Sequence, residues 1–113
     1  MIMQLDEYQK LAALTDAFTR PDSLLAPAFL EKVLGLVGES GEFADKIKKL
    51  IRDHDGEIID KDELIKELGD VLWYLAMIAY YLDIDFSVVA ERNIDKLADR
   101  HKRDVIKGAG DNR

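Results

Sequence analysis

Leu64-Ile65-Lys66-Glu67-Leu68-Gly69-Asp70-Val71-Leu72-Trp73-Tyr74-Leu75-Ala76-Met77-Ile78-Ala79-Tyr80-Tyr81-Leu82 decides the fold. The run has no proline, and its single glycine is not enough to stop a helix. It is apolar around most of a helical circumference, which predicts a central, buried helix rather than an amphipathic surface one. Its uninterrupted apolar part, Val71 to Leu82, is too short for the roughly 20 residues that span a bilayer. Asp60 ahead of it reads as an N-cap, with Glu63 completing a capping box.

Working outward, a long segment from about Pro27 to Ile51 carries Phe29, Leu30, Val33, Leu34, Val37, Ala44, Ile47, Leu50 and Ile51 as a broad stripe at helical spacing. Gly35, Gly38 and Gly41 interrupt it, each costing about 1 kcal/mol against alanine inside a helix. They imply close helix approach, room for a ligand, or a break. Arg52 to Glu57 reads as a loop with an Asp-Gly turn. Leu5 to Phe18 forms a first helix, ended by Arg20-Pro21-Asp22-Ser23. Asp85 can cap a last helix from Phe86 to about Lys102. The fold class is therefore all-α, a four- to five-helix bundle in one domain, residues 1–105, completed by oligomerisation. Residues 106–113 read as a flexible tail.

The 113 residues carry a formal net charge of −7 and no cysteine. Disulfides, zinc-thiolate sites and thiol nucleophiles are excluded. The charge argues against nucleic acid or an anionic membrane as partner, though a divalent cation can reverse the local sign around a nucleotide. The N-terminus lacks the basic and apolar regions of a signal peptide. These features predict a soluble cytoplasmic protein, of a bacterium or, for a viral chain, of its host cell.

The informative residues are acids inside the two most apolar helices. Glu39 and Glu42 are three apart, as are Glu67 and Asp70, so each pair shares one helix face. Carboxylates are costly to bury without partners, and four converging ones would repel or take up protons unless a cation joined them. The bland alternative is four solvent-facing acids, with Glu42 paired to Lys46. If they converge, the donors are all oxygen, with no histidine at i+3 or i+4, which favours Mg²⁺ (or Mn²⁺) over a di-iron centre. Two or more ions per site, shared with a polyphosphate, is the natural inference. His54 and His101 are isolated. On the last helix Asn93, Lys96 and Arg100 lie at i, i+3 and i+7. That face is either an ordinary solvated one, with Glu91, Asp95 and Asp99 as neighbours, or a phosphate-binding one. Tyr8, Phe18, Phe29, Trp73 and Tyr74 can stack on a base, but large apolar residues at helical spacing are more often core.

Gly38-Glu39-Ser40-Gly41-Glu42-Phe43, Glu67-Leu68-Gly69-Asp70-Val71-Leu72-Trp73-Tyr74 and Asn93-Ile94-Asp95-Lys96-Leu97-Ala98-Asp99-Arg100, in that order, resemble the MazG-like nucleoside triphosphate pyrophosphohydrolases over roughly residues 28–103. That family's pattern is Glu-Glu-x-x-Glu, a variable spacer, then Glu-x-x-Asp. Gly38 stands where the leading Glu would be, so the family's metal count does not carry over. The resemblance implies dimers or tetramers and Mg²⁺-dependent hydrolysis of a (deoxy)nucleoside triphosphate at the α–β bond, giving the monophosphate and pyrophosphate. It implies Glu39, Glu42, Glu67 and Asp70 as metal-binding catalytic acids and Asn93, Lys96 and Arg100 as phosphate contacts. Lys46, one turn past Glu42, is within reach of phosphate or of Glu42 itself. Rival readings are a dUTPase-like or damaged-nucleotide hydrolase, and a non-catalytic regulatory helical dimer.

Overall fold

The computed structural model describes residues 2–104 and 106–111. Four helices account for most of them: α1 (Leu5–Ala13), α2 (Pro27–His54), α3 (Lys61–Tyr81) and α4 (Phe86–Lys102). No strand occurs among the described residues, and no single helix is long and apolar enough to cross a membrane. α3 is central: it packs along α2 on one side and meets α1 and α4 on the other. α4 leaves the end of α3 at a bend of 102° and rests on α1 and α3, away from α2.

Helix ends follow local chemistry. α1 stops at Ala13, short of the expected Phe18, because polar side chains take over the backbone there. The Thr15 hydroxyl donates to the Ala12 carbonyl at 2.7 Å, and the Asp16 carboxylate accepts from the Phe18 N–H at 3.0 Å. α2 begins with Pro27 in its first turn, where a missing N–H costs nothing. It runs unbroken through all three glycines and three residues past the expected end. Asp55 and Gly56, both left-handed at φ 52° and 79°, then terminate it, with the Gly56 N–H closing on the Leu50 carbonyl at 2.9 Å.

Asp60 does cap α3, accepting from the Asp62 N–H at 3.0 Å. Glu63 does not complete the box; its carboxylate pairs with Lys46. At α4 the cap comes from elsewhere in the chain. Asp85 occupies the N-cap position without a side-chain bond, and Asp6 of α1 accepts from both the N–H and the hydroxyl of Ser87, each at 2.7 Å. Gln9 ties α1 to both α3 and α4, donating to the carbonyls of Ala76 and Ile84 and accepting from the Phe86 N–H.

The core is small: Ala12, Ala76, Met77, Ala79 and Phe86, with Tyr8, Leu72, Trp73 and Tyr80 packed against it. Much of the α2 stripe stays outside. Leu30, Leu34 and Val37 are more than half exposed, as are Ile65 and Leu68 on α3. The radius of gyration is 16.9 Å, against roughly 13 Å for a compact domain of this length. The accessible surface is 8546 Å², against roughly 6,300 Å² for a compact monomer of this mass. A single chain thus leaves a large apolar area uncovered.

Candidate active site

The long antiparallel overlap of α2 and α3 brings the two acid pairs toward one another. Carboxylate oxygens of Glu39, Glu67 and Asp70 lie within 4.8 Å of one another. Glu42 lies near enough for its charge to act on Glu39. One oxygen of Glu39 and one of Glu67 are buried with no hydrogen-bond partner. Burial is the first cause that pushes the Glu39 carboxyl up from its ordinary range; the charges of Glu42, Asp70 and Glu67 add to it. Two like charges at this spacing repel by about 3 kcal/mol at an effective dielectric of 20, so the cluster calls for a counter-cation. The orphaned oxygens and the all-oxygen donor set fit a hard divalent ion.

Glycines decide how closely the two helices approach. A Cβ on Gly35 would fall 2.1 Å from a ring carbon of Tyr74, so that position admits no side chain. The same Cβ on Gly38 or Gly41 would meet nothing within 4 Å. Those two glycines instead border an open cleft of about 720 Å³, together with Glu42, Asp45, Lys46, Lys49 and Glu67. That volume is in the range of small-molecule sites.

Lys46 reaches across the helix pair rather than along its own helix. Its ammonium lies 3.0 Å from Glu63 and 3.4 Å from Glu67, not on Glu42. These bonds raise its pKa and keep it charged at the cleft. The α4 residues are placed differently. Lys96 and Arg100 make their hydrogen bonds and ion pairs with Asp111, and Arg100 is buried. Asn93 is exposed. α4 meets α3 but not α2, and Lys96 and Arg100 pair with Asp111 rather than with an acid of the cluster.

The most buried polar side chain had no place in the sequence reading. Lys32 is 1% exposed, with its ammonium 3.0 Å from Asp16 and against Glu31. The rings of Phe18, Trp73 and Tyr81 surround it at 4.8–5.6 Å, and Tyr81 donates to the second Asp16 oxygen. Its position three residues after Phe29 and four before Leu36, on the apolar side of α2, was the available signal. Tyr8 and Trp73 pack against the core, and Trp73 donates to Thr15 at 2.8 Å.

Two facing helices that gather carboxylates beside a lysine-edged cleft fit the class that the family match defines, the all-α hydrolases acting on phosphoanhydride bonds. The chain belongs to the MazG nucleotide pyrophosphohydrolase family, whose domain model matches residues 29–105. It is also 45% identical, over 98% of its length and 100% of the relative's, to the Gene 37 protein of Mycobacterium phage L5. No solved structure matches it.

Proposed function

We propose that the chain hydrolyses a (deoxy)nucleoside triphosphate at the α–β bond, releasing the monophosphate and pyrophosphate. The observation that carries this reading is the carboxylate cluster with two buried, unpartnered oxygens opening on a lysine-edged cleft. Glu39, Glu42, Glu67 and Asp70 would hold Mg²⁺, two or more ions, with Mn²⁺ the natural substitute. When bound, such ions neutralise charge developing on the phosphoryl oxygens and lower the pKa of a bound water.

The chain's own contribution is positioning. The rigid α2–α3 pair fixes the four acids, Gly38 and Gly41 leave the cleft open, and Lys46 offers a mobile positive charge at its edge. With cations held by the acids, Lys46 would be the residue placed to turn from Glu67 to a phosphate oxygen. Asn93, Lys96 and Arg100 supply further phosphate contacts from α4 of a second copy, because their own α4 does not approach α2. A homodimer or homotetramer satisfies this requirement and covers the exposed stripe of Leu30, Leu34 and Val37. The partners are nucleotide and self, not nucleic acid or membrane, in a cytoplasmic setting.

The deciding experiment measures pyrophosphate release from a panel of ribo- and deoxynucleoside triphosphates with Mg²⁺. The expected result is Mg²⁺-dependent release from at least one of them, abolished by EDTA. Turnover of none, or orthophosphate as the sole product, overturns the reading.

A further inference from the structure

The end of the chain closes on the face that carries the α4 cations. After Lys102 the backbone turns at Asp104, with φ 58°, and again at Gly110, with φ 82°. It thereby doubles back beside α4 far enough to meet Lys96, about 9 Å up the helix from Lys102. There the Asp111 carboxylate lies 3.2 Å from the Lys96 ammonium and 3.2 Å from the Arg100 guanidinium. The Asp111 carbonyl accepts from the same guanidinium at 2.7 Å. These cations do not use the acids of their own helix: Asp99, one residue from Arg100 in sequence, is held by Arg103. Lys96 and Arg100 thus form a two-pronged anion site whose occupant is a carboxylate eleven to fifteen residues downstream.

The two cations are unequal in a way that suits exchange of that occupant. The Arg100 side chain is 5% exposed, whereas Asp111 is 80% exposed and Lys96 is 41% exposed. The Lys96–Asp111 pair is open on both sides, so it is weak and screened by salt, and a phosphate group with more charge can displace it. We infer that Asp111 is a built-in competitor for phosphate at the Lys96–Arg100 site, making residues 106–111 a clasp that substrate must open. The inference rests on the proposed role of these two cations as phosphate contacts and adds a regulator to the same site.

The test compares the full-length wild type, Asp111→Asn and Lys96→Ala, with inorganic pyrophosphate plus Mg²⁺ as the probe and nucleotide KM as the second readout. For Asp111→Asn the pyrophosphate Kd and the KM are expected to fall about three- to fivefold at low salt, the equivalent of one exposed ion pair. That difference should shrink as salt is raised, a dependence that a purely structural role of Asp111 would not produce. If Lys96→Ala weakens pyrophosphate binding while Asp111→Asn leaves it unchanged or weaker, the cations bind phosphate but the clasp is overturned. If Lys96→Ala has no effect on pyrophosphate binding, the phosphate role of this face falls and the clasp with it.

Discussion

Glu39 and Glu67 each keep a buried oxygen without a partner, so their substitution should separate activity from stability. Glu67→Gln or Asp70→Asn should lower pyrophosphate release roughly 100-fold or more, because charge is lost where cations must bind. Circular dichroism should show the helices intact. The pH dependence is tied to Glu39. In the unfolded chain its carboxyl ionises near the ordinary 4.5; in the folded, metal-free chain burial and the neighbouring acids raise it. The folded state then binds more protons in that window, so stability is lost as pH rises from 4.5 through the raised value. Glu39→Gln removes the loss: with EDTA, the variant's Tm should match the wild type at low pH and exceed it increasingly toward neutrality. Equal Tm curves across that range would refute this account of the cluster. Lys32 behaves oppositely. Lys32→Met leaves Asp16, whose side chain is 4% exposed, without its cation, and should cost about 3 kcal/mol in urea unfolding. The acids stood out in the sequence because charge inside an apolar run is expensive. Lys32 did not, because a lone lysine beside a helix stripe usually snorkels to water.

Helices were readable in proportion to how far their own residues determine them. α3 and α4 follow from apolar spacing and turn residues, and both start and stop close to where the pattern places them. The end of α1 and the cap of α4 did not follow: the first turns on whether the Thr15 and Asp16 side chains bond the nearby backbone, the second on a contact from another helix. Asp6 serves Ser87 from 81 positions away, and a pattern search along one segment cannot see it. Asp6→Ala should therefore lower the denaturation midpoint, as losing a cap does, although Asp6 lies on a different helix. The three glycines of α2 divide in a way that sequence could only pose as a question. Gly35→Ala should destabilise despite alanine's better helix propensity, because its methyl overlaps the Tyr74 ring. Gly38→Ala and Gly41→Ala have open space and should each stabilise the isolated helix pair by up to about 1 kcal/mol. Chemical denaturation of the three variants checks the contrast in sign. Destabilisation by Gly38→Ala or Gly41→Ala would mean that a second chain packs against those positions.

At the scale of the whole molecule, one chain exposes roughly 2,000 Å² more surface than a compact monomer of its mass should, and the exposed stripe on α2 adjoins the acid cleft. That excess exceeds the roughly 800 Å² per partner of an ordinary interface and suits an obligate one. Charge placement argues in the same direction. The acids sit on α2 and α3, the cations on α4, and no single chain brings α4 to α2. If two chains complete each site, static light scattering of the wild type should give a dimer or tetramer, and Leu34→Glu or Val37→Glu should shift the mass toward the monomer. Those two substitutions place a charge on the stripe without touching a site acid, so activity should fall together with assembly. A complementation experiment decides whether sites are shared. Glu67→Gln and Lys96→Ala damage opposite contributors, and each homo-oligomer should be strongly impaired. Unfolded together and refolded as a mixture, they should regain activity, because a Lys96→Ala chain can lend its acids to a site whose α4 comes from a Glu67→Gln chain. Co-refolding that forms mixed oligomers yet restores nothing would place each complete site within one chain.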